Sequence, residues 1–180
     1  MLIGKMGFRL ESHFLFNLIF IEMERFEIIN ELKNYFKIYE LVGPFAFKIH
    51  GERAFKFFST DSLNMLLITR KGINRSITVN NWYFGGKFSQ RGLRSNLQNL
   101  FRQMFLSRKL YLSGHVLGEA FDFDVFGMDA VSVRNWIIEN QHLYPFKIRL
   151  ENLKNGVPIS WVHMDAIQEE KNPKVYLFNV

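Results

Sequence analysis

The chain has 180 residues, enough to bury a substantial core without disulfides, and its 48% hydrophobic and 22% charged residues are typical of a globular domain and exclude a disordered one. Its 23 basic and 17 acidic residues leave a formal net charge of +6, which favours anionic partners. The absence of cysteine excludes a disulfide framework, a thiolate nucleophile and a cysteine-ligated metal.

An apolar run at residues 14–21 follows Lys5 and Arg9 near the start of the chain. The run is too short to span a bilayer, contains Asn17 and lacks a small-residue cleavage site behind it. We therefore expect neither a signal peptide nor a transmembrane segment. Residues 1–22 are predicted to be either an extension outside the fold or a packed accessory helix, ahead of a single domain at 23–180.

The first half of the chain reads mainly as helix. Apolar residues recur at helical spacing over residues 24–36, and Gly43-Pro44 then breaks the chain. Residues 51–70 are predicted to be helical around a candidate N-cap at Asp61, and residues 95–107 read as helix again. The inward-facing residues of the second region are predicted to be Phe55, Phe58, Leu63, Leu66 and Leu67. Residues 77–79 form a short β-prone run that leads into the glycines of N-N-W-Y-F-G-G.

The second half reads mainly as strand. Residues 120–126 alternate with period two, which places Ala120, Asp122 and Asp124 on one face and the phenylalanines on the other. Residues 131–141 form a helix with Trp136 inward. Two further alternating runs at 146–151 and 159–165 flank the turn-rich residues 152–158 and predict an antiparallel hairpin, with an edge strand at 175–178. Helices in front and strands behind indicate an α+β domain.

Three side chains with metal-ligating chemistry are predicted to converge on these strands. Trp161, His163 and Asp165 share one face of their strand, so His163 can lie beside Asp122 if the two strands are neighbours. His115 lies just before the strand that carries Asp122. Two imidazoles and one carboxylate are the ligand set that a catalytic zinc prefers, with the fourth position left for water. Gly118 would give the turn backbone freedom, and a small Ala120 would leave room for a substrate.

These residues belong to a longer pattern. Ser113, His115, Gly118, Ala120 and Asp122 match S-x-H-x-x-G-x-A-x-D, and W-V-H-M-D follows about forty residues later. The pattern resembles the zinc D-alanyl-D-alanine carboxypeptidase/endopeptidase family, which shares its fold and zinc site with the hedgehog signalling domain. Residues 80–96 are similar to a block found in a phage-associated branch of these peptidases. The resemblance covers about residues 35–166.

The resemblance implies a hedgehog/DD-peptidase-like α+β fold in which a small antiparallel sheet carries the zinc site and helices pack on it. It implies one zinc ion per chain, with His115, Asp122 and His163 as ligands. Ser113 would hydrogen-bond near the substrate. Arg94 would read the carboxylate of the peptide or steady the oxyanion, with Arg91 as the alternative for that role.

The general base is where the chain departs from the family pattern. Many members have an acidic residue three positions before the last histidine ligand, and this chain has Ser160 there. Glu151 is the candidate that replaces it, because it ends the strand predicted to pair with the one bearing His163. Asp165 is expected to orient an imidazole. Trp161 is either a wall of the substrate groove or simple packing.

The sequence thus predicts a zinc metallopeptidase that hydrolyses peptidoglycan peptide bonds next to D-amino acids, acting at the bacterial cell wall as a phage lysin or a virion-borne hydrolase. Carboxypeptidase and endopeptidase action both stay open. We expect a monomer if the protein is free, and a virion component otherwise. One alternative is a noncatalytic zinc-binding module of the same fold, which the serine at position 160 favours. The other is a basic nucleic-acid-binding domain, supported only by the charge of +6; the basic residues are scattered, so no nucleic acid is expected.

Overall fold

The computed structural model describes residues 23–95, 106, 112–167 and 173–180. The predicted extension at 1–22 lies outside them, as does the predicted helix at 95–107 apart from its residues 95 and 106. None of the described helices is long and apolar enough to cross a membrane.

Most of the described helices precede the main strands, as the pattern predicted. The α-helices are α1 (Arg25–Leu32), α2 (Ile38–Leu41), α3 (Pro44–His50), α4 (Thr60–Ile73), α5 (Gly114–Leu117) and α6 (Ala130–Glu139). Short 3-10 helices cover Gly51–Phe57, Trp82–Phe84 and Gln141–Leu143. The strands are β1 (Ile77–Thr78), β2 (Ala120–Val125), β3 (Ile148–Lys154), β4 (Val157–Asp165) and β5 (Val175–Asn179). The α+β class is confirmed.

The five strands form one sheet in the order β1-β2-β4-β3-β5. The predicted hairpin is confirmed as β3 and β4, and β2 pairs antiparallel with the other side of β4. The expectation of a purely antiparallel sheet is wrong at one edge, because β5 pairs in parallel with β3. An alternating sequence fixes the two faces of a strand but carries no information about its direction.

One face of the sheet packs on the helices and forms the core. Phe121 and Phe123 of β2 pair with Met164 and Val162 of β4, and all four are buried. Helix α4 supplies the opposing apolar surface and begins at the N-cap Ser59, whose Oγ accepts a hydrogen bond from the Ser62 N–H at 3.0 Å. The prediction of Asp61 as the N-cap is therefore wrong. Five predicted inward residues of this region are buried: Phe55, Phe58, Leu63, Leu66 and Leu67.

Strand β4 carries a bulge between Pro158 and His163. His163 pairs with Glu151, but two residues further along β3 the partner is already Pro158, so β4 holds extra residues between them. Arg134 of α6, only 3% exposed, donates hydrogen bonds to the carbonyl oxygens of Trp161 (3.1 Å) and Ile159 (3.3 Å) in this bulge. A buried guanidinium thus satisfies carbonyls that the ladder leaves unpaired.

Candidate metal centre

The register of the sheet brings three acidic and basic side chains into one row. Asp122 of β2 lies opposite His163 of β4, and Glu151 of β3 lies opposite His163 on its other side. Directly opposed residues point to the same face of a sheet. The neighbours of Asp122 and His163 along their strands are core residues, so this row lies on the face turned away from the core.

His115 reaches this row from the one-turn helix α5, which lies just before β2. The helix ends at Gly118, whose φ of +73° is disfavoured for side chains other than glycine and whose Cβ would overlap the Phe57 carbonyl oxygen. A Cβ on Gly114 would lie 2.8 Å from the Cβ of Ala120, which is fully buried. The turn explanation for Gly118 is thus confirmed. The close packing of α5 is one reason for a small residue at Ala120, and the expectation that it leaves room for a substrate stays a prediction.

The three predicted ligands converge. One ligand atom from each of His115, Asp122 and His163 can be chosen so that all lie within 4.8 Å of one another, and this group could hold a metal ion. The His163 Nδ1 lies 2.6 Å from one Asp122 oxygen, and the His115 Nε2 lies 3.2 Å from the other. Donor atoms around one tetrahedral zinc are about 3–3.5 Å apart, so small side-chain adjustments suffice for binding.

The hydrogen bond of His115 fixes which of its nitrogens can bind a metal. Its Nδ1 lies 3.0 Å from the Gly92 carbonyl oxygen, which can only accept, so Nδ1 carries the proton. Its Nε2 is buried and makes no hydrogen bond with any described residue, although an Asp122 oxygen is nearby. An unsatisfied buried nitrogen lone pair aimed at a carboxylate and a second imidazole fits a metal ligand.

Only glycine fits at position 92 without a shift of the backbone. A Cβ at this position would overlap the carbonyl oxygen of Leu41, to which the next residue, Leu93, donates its N–H at 3.0 Å. We expect Gly92→Ala to lower the free energy of unfolding by about 2–4 kcal/mol, because the loop must move away from Leu41. The same shift withdraws the carbonyl that orients His115, so the affinity for zinc should also fall. Thermal unfolding and zinc titration measure the two effects.

A matched control for this substitution is Gly156→Ala in the β3–β4 turn. Nothing lies within 4 Å of a Cβ there, although the φ of +77° adds backbone strain. It should cost about 1 kcal/mol of stability and leave zinc binding unchanged. Equal zinc affinity in the two variants and the wild-type protein would contradict the role assigned to Gly92.

His163 lies between two carboxylates. Its Nδ1 faces Asp122, and its Nε2 lies 3.3 Å from an oxygen of Asp165. Asp165 is only 1% exposed and forms a two-point ion pair with Arg149, at 2.8 and 3.2 Å. The expectation that Asp165 contacts an imidazole is therefore met in the geometry, with Nδ1 left to face the metal position.

Burial and pairing shift the pKa values of the three ligands in different directions. Burial lowers the pKa of His115 and outweighs its contact with Asp122. Burial alone would raise the pKa of Asp122, but the contacts with His115 and His163 outweigh it and hold that pKa well below its usual range. Burial would also lower the pKa of His163, but hydrogen bonds with Asp122 and Asp165 raise it to about 9. Near neutral pH, the metal-free centre thus holds one imidazolium, His163, beside a neutral His115 and an ionised Asp122.

Zinc binding should therefore depend on pH. We expect affinity to increase about tenfold per pH unit between about pH 7 and 8, because the metal must displace a proton from His163, whereas the lowered pKa values of His115 and Asp122 leave both without a proton to release there. Competition with a chromophoric chelator, corrected for the chelator's own protonation, measures this slope. An affinity that is constant over this range would contradict it.

The stability of the metal-free protein should change in the opposite sense. The folded pKa of His163, about 9, lies above the unfolded value of about 6.5. Its contribution to stability is thus fully present below about pH 6.5 and is lost as the pH rises through 9. Thermal unfolding in the presence of a chelator measures this loss, and a melting temperature that rises over this range would argue against it.

A cleft of about 260 Å³ opens beside Asp122. Its lining residues are Lys87, Phe88, Ser89, Gln90, Arg91, Arg94, Asp122 and Trp161. Arg94 donates to an Asp122 oxygen at 3.2 Å and to the Gln90 carbonyl at 2.8 Å. Arg91 pairs with Asp124 and stacks 3.5 Å from the centre of the Phe88 ring. With Asp124 included, two carboxylates offset three cations, so the cleft keeps a net positive charge that suits an anionic ligand.

Three further residues from the sequence analysis lie around the three ligands, and only Glu151 is directly beside one of them. Glu151 is half-buried on the same face as His163, directly beside it in the sheet. Ser160 is exposed in the bulge of β4. Ser113 precedes α5, and its buried Oγ makes no hydrogen bond with any described residue, so its contact with a substrate stays a prediction.

Two residues that hold the ligands were not singled out from the sequence. Gly92 lies in R-G-L-R, between the two candidate arginines, and offered only the general hint that a glycine permits close approach. Arg149 is two residues before Glu151 in the same strand, so the sequence indicated that the two side chains share a face of the sheet. That Arg149 pairs with Asp165 follows only from the strand register.

Comparisons with protein-family models, with curated proteins and with solved structures returned no significant match for this chain. The fold and the site therefore define an α+β protein with a mixed five-stranded sheet whose outer face carries a candidate metal centre.

Proposed function

We propose that the chain is a zinc-dependent peptidase that hydrolyses peptide bonds next to D-amino acids in peptidoglycan, acting as a cell-wall hydrolase of phage origin. The observation that supports the metal is the Nε2 of His115, which is buried, makes no hydrogen bond with a described residue and faces Asp122 and His163. The substrate and its source rest on the family resemblance of the sequence pattern. The cationic cleft beside Asp122 supports an anionic substrate.

The donor set fits zinc better than its competitors. Two imidazole nitrogens and one carboxylate oxygen form the three-ligand set of catalytic zinc sites, whereas calcium and magnesium prefer oxygen ligands throughout. Zinc held by His115, Asp122 and His163 would polarise a scissile carbonyl and lower the pKa of water. One ion per chain is proposed.

The side chains around the centre have distinct proposed roles. Glu151 accepts a proton from water and delivers it to the leaving amine, since its carboxylate lies beside His163 on the same face of the sheet. Arg94 stabilises negative charge on the reacting carbonyl oxygen or binds a substrate carboxylate, because it is permanently charged and lines the cleft at Asp122. Arg91 is the alternative for that role. Trp161 forms a wall of the cleft.

A noncatalytic zinc-binding module is the second candidate function. The exposed Ser160 occupies the position at which many members of the resembled family have an acid, and this observation favours it. Such a module would bind zinc with the same three ligands and leave peptidoglycan intact.

Elemental analysis and a digestion assay on the wild-type protein test the proposal. We expect one zinc per chain after purification without chelator, release of soluble fragments from purified peptidoglycan, loss of both after chelation and recovery of both after zinc is returned. Digestion that survives complete removal of metal would refute a metallopeptidase. Zinc without digestion would favour the noncatalytic module, and protein that neither contains nor takes up zinc would overturn the metal centre itself.

A further inference from the structure

Three side chains enclose the edge of the His163 ring that faces away from Asp122. They are Asp165 on β4, Arg149 on β3 and Phe178 on β5. Each contacts the next, and both Asp165 and Phe178 contact His163. Asp165 approaches the His163 Nε2 at 3.3 Å, Arg149 holds Asp165, the Arg149 guanidinium lies 5.1 Å from the centre of the Phe178 ring, and Phe178 meets His163 edge-on with centroids 5.9 Å apart.

The register of the sheet imposes this arrangement. Arg149 lies opposite Asp165, and Phe178 lies opposite Glu151, which itself lies opposite His163. All of these side chains therefore point to the face that carries the metal centre. The parallel strand β5 thus brings the last segment of the chain to the edge of the site.

Asp165 depends on Arg149 to keep its position. A carboxylate that is 1% exposed is costly to bury unless it is paired and hydrogen-bonded. The guanidinium supplies two parallel hydrogen bonds, and the Ile167 N–H supplies a third at 3.1 Å. This two-point geometry fixes the orientation of the carboxylate as well as its charge.

The two histidines are held by different means. His115 is oriented by the Gly92 carbonyl, which is part of the backbone, whereas His163 is oriented by a side chain that is itself held by another side chain. Metal-binding histidines commonly donate their second N–H to such a carboxylate, and loss of that partner typically weakens metal binding about 10–100-fold. A single substitution of Arg149 on the neighbouring strand can therefore change the orientation of His163, whereas His115 is held by the backbone.

We propose that Arg149 is a positioning residue of the metal centre: through Asp165 and the Phe178 ring it holds the His163 imidazole with Nδ1 directed at the metal, and so sets the affinity for zinc. This inference rests on the proposed metal centre. It does not depend on whether the protein cleaves peptidoglycan.

Zinc affinity and the spectrum of bound Co²⁺ test it. Arg149→Met keeps much of the side-chain length and removes the charge and the hydrogen bonds, and it should weaken zinc binding about 10–100-fold in a chelator competition. Arg149→Lys keeps the charge without the two-point geometry and should recover part of that loss. The visible absorption of the Co²⁺-loaded protein should change in Arg149→Met, because the His163 imidazole is no longer held in its orientation toward the metal. A merely structural role of Arg149 would leave the coordination geometry, and so the spectrum, intact.

Arg70→Met is the matched control. Arg70 also lies over an aromatic ring, Tyr35 at 4.6 Å, but belongs to α4, away from the sheet face that carries the centre. Its zinc affinity and Co²⁺ spectrum should equal those of the wild type. Melting temperatures of the metal-free proteins report any general loss of stability.

Wild-type zinc affinity and an unchanged Co²⁺ spectrum in Arg149→Met would overturn the inference. If that variant does not fold, Phe178→Leu on the edge strand and Arg149→Lys replace it, and wild-type affinity in both would overturn the inference equally. Zinc binding that weakens in these variants while the wild type leaves peptidoglycan intact would support the inference and count against the peptidase. A wild-type protein that binds no zinc would overturn both.

Discussion

Replacement of His163 by alanine is expected to weaken zinc binding by about a thousandfold or more and to abolish peptidoglycan digestion. The substitution removes one of three protein ligands and leaves only His115 and Asp122, which cannot hold zinc in the geometry of a catalytic site. Elemental analysis of the purified variant, chelator competition and the release of soluble wall fragments measure the effect. The metal-free variant should still fold, since His163 lies on the face away from the core, but with a lower melting temperature, because Asp122 and Asp165 lose their contacts with His163.

The matched control for His163→Ala is His142→Ala. His142 is exposed in the 3-10 helix Gln141–Leu143 and belongs to no group of metal-ligating residues in the described part of the chain. This variant should retain one zinc per chain and wild-type digestion. Full zinc content in His163→Ala would show that the metal is held elsewhere and would remove the basis of the proposed function.

Replacement of Glu151 by glutamine should separate metal binding from catalysis. The amide has nearly the shape of the carboxylate but cannot accept a proton, so we expect digestion to slow by about 10²–10⁴-fold. Zinc affinity should change little, because Glu151 is not among the three converging ligands. Initial rates of fragment release at equal zinc occupancy measure the effect, and the zinc titration shows that the centre is intact.

Glu139→Gln is the control for the loss of one negative charge, since Glu139 is exposed at the end of α6. It should digest peptidoglycan at the wild-type rate. A Glu151→Gln variant that is also fully active would assign the proton transfer to another group. The three metal ligands would stand, but the explanation for the serine at position 160 would have to be replaced.

Local patterns in the sequence were sufficient for the main strands and for their faces, whereas the short helices α2, α3 and α5 were not predicted. Alternation in residues 120–126 and 159–165 correctly placed Asp122 and His163 on one face and the core residues on the other, because side-chain direction along a strand has a fixed period. The boundaries were less well predicted. Helix α1 ends at Leu32, where the chain turns, although Phe36 beyond it is still buried.

The α+β class and the three candidate ligands were thus determined by the sequence alone, since they depend on periodicity and on which side chains can bind a metal. Tertiary structure decided what surrounds those ligands. The parallel direction of β5, the bulge in β4, the contact of Gly92 with His115 and the ion pair of Arg149 with Asp165 all depend on strand register and close approach between distant segments. Register and approach are set by packing across the whole sheet, and no local pattern encodes them.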